Sequence, residues 1–117
     1  MVGHKYAIAV TSASHGQDLV MKAMGWKGID VINPAISFIA TAMIPLWNGF
    51  TSNIVDVKRD TLCIDPEDVA RYKKPNSELL ISVDEAGVLA DYKELRKVFG
   101  DLYLKIVHIV VGHQELV

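Results

Sequence analysis

Cys63, His15 and His113 are the side chains in this sequence best suited to nucleophilic or acid–base work. Cys63 stands just before Asp65-Pro66, a pair that starts helices, and a thiol near a helix N-terminus is placed for nucleophilic or sulfur-carrying chemistry. Either histidine would serve as its base. The flanking Leu62 and Ile64 suit the same cysteine equally well as a small buried hydrophobe. A second set of residues is built for binding. Thr11, Ser12 and Ser14 form a small-residue turn ahead of Gly16, of the kind that offers N–H groups and hydroxyls to an anion at a helix start. Asp84 and Glu85 follow a compact apolar run and would add carboxylates to the same rim. The glycines at 16, 25 and 28 are too far apart for either glycine-rich nucleotide fingerprint. His15 and His113 with a carboxylate suit a divalent metal by ligand type, but no close-spaced pair such as His-x-x-x-His supports one, and no metal is expected. Nothing in the spacing names a cofactor.

These groups must be positioned by short alternating elements. Tyr6–Val10 reads as a strand buried on both faces, and a helix over 17–24 ends at Gly25. Residues 28–32 read as a second strand. Asn33-Pro34 is a helix-start pair, so a buried helix is expected from Pro34 to about Trp47, with Ser37, Thr41, Pro45 and Asn48 along one face. Residues 54–57 and 61–64 are β-prone, as one strand or a tight hairpin, before a short helix from Asp65-Pro66 that Pro75 ends. Leu79–Val83 is a strand. Val88, Tyr92, Leu95 and Phe99 recur at helical spacing, and Tyr103–Val111 is the longest strand.

Strands alternating with helices predict a single α/β domain over residues 1–117: a small three-layer sandwich with a mostly parallel sheet and helices on both faces. A ferredoxin-like α+β fold is the alternative, reached if residues 31–44 form a strand. In a parallel sheet the polar residues at 11–15, 63–65, 84–85 and 113–115 would share the carboxyl rim, where ligands bind.

Charge is split between the two halves. Residues 31–55 hold no Asp, Glu, Lys, Arg or His, whereas 21 of the 26 Asp, Glu, Lys and Arg residues lie beyond Val55. The apolar stretch is too polar at Asn33, Ser37 and Thr41, and too interrupted by proline, to read as a membrane span. It reads instead as a core helix that also joins copies of the chain through Ile36, Phe38, Ile39, Met43, Trp47 and Phe50. A formal charge of −2 gives no footprint for nucleic acid, and one cysteine with no signal-peptide pattern points to the cytoplasm. The expected function is a homo-oligomeric ligand-binding or accessory subunit. The alternative is a thiol or sulfur-relay enzyme using Cys63: short alternating elements with one cysteine after a central strand resemble the sulfur-relay DsrE-like domains in architecture.

Overall fold

The computed structural model describes residues 5–101 and 103–107. Four strands form one sheet: β1 (Asp30–Pro34), β2 (Thr51–Val55), β3 (Ser77–Asp84) and β4 (Tyr103–Val107), in the order β2-β1-β3-β4 with every pair parallel. Helices α1 (Ala13–Met24) and α2 (Ala40–Trp47) cover one face, and α3 (Pro66–Tyr72) and α4 (Tyr92–Phe99) the other. This is the three-layer α/β sandwich. Residues 40–47 are helical, which removes the ferredoxin-like alternative.

Alternation along the strands builds the two cores. Val31, Leu79, Ile81 and Val83 face Met21 of α1 and Ala40 and Ile44 of α2, with Phe50 beneath. Ile32 and Leu80 face the other way, onto Val69 of α3 and Leu95 of α4. A strand buried on both faces needs apolar side chains at consecutive positions, and Val31-Ile32 and Leu79-Leu80-Ile81 supply them.

Several boundaries differ from the sequence expectation, each for a local reason. Pro34 ends β1 instead of starting a helix. The Asn33 side chain donates to the Val31 carbonyl at 3.2 Å and to Ser52 Oγ at 2.9 Å, so it pins β1 to β2 and caps nothing. Helix α2 starts six residues later than expected, and Pro45 lies inside it. Helix α4 starts at Tyr92 because Asp91 caps it, accepting from the Glu94 N–H at 3.1 Å. Tyr6–Val10 pairs with no strand among the described residues, and its large side chains are exposed, Tyr6 by 76 %. Phe50 is 7 % exposed and belongs to the chain's own core, so it is not part of a face between copies.

The amino end of the sheet is tied by one carboxylate. Asp30 is fully buried and accepts from Ser77 Oγ at 2.7 Å, Lys74 Nζ at 2.8 Å and Asn53 Nδ2 at 3.0 Å. Burial alone pushes this carboxyl up, but the three donors outweigh it and hold it below the usual aspartate range. Asp30→Ala leaves three donors without their acceptor and is expected to cost about 2–4 kcal/mol in urea unfolding. Because the folded carboxyl is the stronger acid, the contribution of Asp30 is present above the ordinary aspartate range and fades as pH falls through its lowered value. The variant should lack that part of the acid-side loss.

Candidate functional site

Parallel order fixes where a site can form. From β1 the chain moves outward to β2, then returns to place β3 on the other side of β1. The carboxyl ends of β1 and β3 are therefore a topological switch point, where the following loops diverge and leave a crevice. The loop 35–39 borders it on the β1 side, and Phe38 there is 62 % exposed. The segment 85–91 borders it on the β3 side.

Helix α1 aims at the same rim. Its last turn leads through Gly25 to the amino end of β1, so its first turn lies toward the carboxyl ends. Asp18 accepts from Asn48 Nδ2 at 2.9 Å, which sets the middle of α1 beside the end of α2 and the start of α1 back along the body of α2, toward the carboxyl edge. Ser12 is the cap, and its Oγ accepts from the His15 N–H at 3.2 Å. Thr11 Oγ1 and Ser12 Oγ lie 2.6 and 3.0 Å from His15 Nδ1, so the ring is held against the cap. In the tautomer whose Nδ1 accepts from one of these hydroxyls, Nε2 is the ring's donor. A helix leaves its first N–H groups without intrahelical acceptors. Ser12 takes that of His15 and the Ser12 carbonyl that of Gly16, which leaves those of Ala13 and Ser14 at the tip. Two amides, the two hydroxyls not spent on Nδ1 and the imidazole Nε2 make a donor set suited to a doubly charged anion.

The remaining expected residues separate from this group. Cys63 is 2 % exposed and packs in the α3/α4 core, with the sheet between it and His15. Its thiol donates to the Val88 carbonyl at 3.3 Å. Asp84 is fully buried on that same face; its Oδ1 accepts from Tyr92 Oη at 2.6 Å and from the Ala90 N–H at 3.0 Å. Burial first, and then this carboxylate, push the Tyr92 phenol well above its usual range. Asp84 thus stands at the rim but is engaged by its own chain, and Glu85 begins the loop beside it. His113 lies outside the described residues. Among the described residues no three His, Cys, Asp or Glu side chains gather as metal ligands, and no helix is long and apolar enough to cross a membrane.

Sequence reasoning missed Tyr92, the Ala13 amide and the Ser37–Thr41 hydroxyl pair, 2.6 Å apart after β1. The Asp91-x-x-Glu94 capping pattern would have moved the helix start to Tyr92 and turned attention to its hydroxyl. A backbone amide has no side-chain signal.

Residues 1–108 match the DegT/DnrJ/EryC1/StrS aminotransferase family. Among solved structures, 3-amino-5-hydroxybenzoic acid synthase is 33 % identical with a TM-score of 0.83, over 89 % of this chain and 28 % of that one. DesI, solved in the presence of its TDP-sugar product, is 33 % identical with a TM-score of 0.76, over 83 % of this chain and 24 % of that one. The GDP-4-keto-6-deoxy-D-mannose-3-dehydratase of E. coli, with bound hydrated PLP, is 25 % identical with a TM-score of 0.80, over 89 % and 29 %. The chain spans less than a third of the length of each.

These matches overturn both functions expected from the sequence. The chain is neither an accessory ligand-binding protein of its own kind nor a thiol or sulfur-relay enzyme, and the DsrE-like resemblance was one of layout alone. The misleading signal was Cys63, whose position before a helix looks reactive until its burial is seen.

The start of α1 is open to a direct check. Ser12→Ala removes the cap and is expected to lower stability by about 1 kcal/mol, read as a lower urea midpoint with an unchanged slope. Ser12→Asn, which restores a side-chain acceptor, should recover most of it.

Proposed function

Since the chain belongs to the DegT/DnrJ/EryC1/StrS aminotransferase family, we propose that it forms the phosphate-holding part of a pyridoxal-phosphate site acting on an amino or keto sugar carried by a nucleotide. The reading is supported by one observation above the others: the first turn of α1, with its N–H groups at the tip, lies at the carboxyl ends of a parallel sheet. Among the similar structures, DesI was solved in the presence of its TDP-sugar product and the E. coli dehydratase with bound hydrated PLP. The donors present fit the group. A phosphate monoester is a dianion with several acceptor oxygens, and this turn offers donors without a carboxylate among them.

When bound, pyridoxal phosphate supplies an electron sink for bond cleavage beside an amine carbon. The chain's own residues do the holding. The amides of Ala13 and Ser14, the Ser14 hydroxyl and whichever of the Thr11 and Ser12 hydroxyls does not donate to His15 Nδ1 would take the phosphate, with His15 adding a donor from Nε2. Phe38, exposed at the switch point, offers a flat apolar face to a pyridine ring. Glu85 stands at the other wall as the carboxylate that would meet the hydroxyl-bearing substrate, while the buried Asp84 behind it holds that wall's backbone. Self-association belongs to the same proposal. Ile36, Ile39, Met43 and Trp47 form an apolar surface on and ahead of α2, with Trp47 75 % exposed. A reducing cytoplasm suits the unpaired Cys63.

Pyridoxamine phosphate, which has no aldehyde to react with surface lysines, is the probe. Titrated into the chain and followed by tryptophan fluorescence, it should bind saturably, with inorganic phosphate competing. Pyridoxamine without the phosphate should bind at least about tenfold more weakly, the loss of roughly one charge-assisted hydrogen bond. Ser14→Asp, which places a negative charge at the tip, should abolish binding with the circular dichroism unchanged. Equal affinity for the two pyridoxamines would sink the phosphate assignment. For self-association, Trp47→Glu should shift the light-scattering mass to that of the monomer; a wild-type protein that is already monomeric at micromolar concentration removes that part of the proposal.

A further inference from the structure

The segment 85–91 differs from the other connections at the rim. It starts with a single 3-10 turn, Glu85–Gly87, in which Ala86 takes the left-handed conformation at φ 50°. A residue with a Cβ is strained there. Glu85 Oε2 is buried and meets no hydrogen-bond donor among the described residues, a further cost to the observed conformation. Residues 86–89 are exposed, Val88 and Leu89 among them. Against these costs stand hydrogen bonds from buried side chains to the segment's backbone: Asp84 Oδ1 accepts from Ala90 N–H, and Cys63 donates to the Val88 carbonyl. The Tyr92 hydroxyl braces the same Asp84 oxygen at 2.6 Å.

A strained, outwardly apolar loop held down at a few polar points, beside a crevice, has the makings of a two-state element. We propose that residues 85–91 form a strap that opens and closes one wall of the switch-point crevice, with Asp84 as its latch and Tyr92 as the positioning residue that holds the latch. Opening relieves Ala86, hydrates Glu85 and uncovers Cys63. The use of this motion to admit and enclose substrate rests on the pyridoxal-phosphate reading, while the motion itself does not.

The lone thiol reports it directly. Cys63 is the only cysteine of the chain, so the rate of its labelling by a disulfide reagent measures how often its cover lifts. Labelling of the native protein between zero and moderate urea should be nearly independent of urea, as a local opening exposes little surface, and steepen only near global unfolding. Tyr92→Phe should raise the low-urea rate by about tenfold, the equivalent of one hydrogen bond, without changing the slope. Ala86→Gly should act in the opposite direction and slow labelling by about threefold, because glycine removes the left-handed strain from the closed form. Lys74→Ala, at the far end of the sheet, should leave the low-urea rate unchanged. Labelling that follows the full unfolding slope at every urea concentration, or that is unmoved by both Tyr92→Phe and Ala86→Gly, overturns the strap. No cofactor enters the experiment, so its failure leaves the phosphate assignment standing, and failure of pyridoxamine phosphate to bind leaves the strap standing.

Discussion

Parallel pairing governs everything else in this protein. Neighbouring strands that run the same way cannot be joined by a tight turn, so each connection must cross the sheet and return to its starting end. All segments that follow a strand therefore begin at one edge, and all that precede one finish at the other. The loop after β1, the segment after β3 and the start of α1 meet at the carboxyl edge for that reason, although more than seventy residues separate Ser12 from Asp84 along the chain. No single motif had to place them there.

That edge and its opposite are built differently. At the amino end Asp30 gathers donors from β2, from β3 and from the loop between α3 and β3. At the carboxyl end Thr11, Ser12 and His15 are exposed or engaged only with one another, and the buried Asp84 binds only the segment that follows it. Cys63 shows how position misleads when burial is ignored. It precedes a helix, as reactive thiols do, yet it fills a hole between α3 and α4 and its hydrogen is committed to a carbonyl.

The layer order was legible because apolar runs such as Leu79–Val83 and the spacing of Tyr92, Leu95 and Phe99 are set by burial, and burial is what the sequence encodes most directly. Thr11, Ser12 and Ser14 read as the loop after a strand over Tyr6–Val10, which does not form; they instead lead into and start α1. What stayed hidden was decided by tertiary partners. Asn33 looks like a helix cap and becomes a strand tie because Ser52 stands beside it in the parallel register. Val88 fits the helical spacing, but the buried Asp84 takes the Ala90 N–H and holds the backbone out of the helix. Tyr6–Val10 has the composition of a strand and no neighbour among the described residues to make it one. The open N–H groups at the start of α1 were least legible of all, since main-chain amides are common to every residue type.

The Asp30 tie also bears on how such a protein can change. A carboxylate that joins β1, β2 and β3 at one end secures their register without help from the loops at the other. Substitutions, insertions and altered lengths in the segments after β1 and β3 then meet little resistance from the frame. A fold stapled at one end in this way leaves the loops of the other end free to differ in length while its strand register stays put.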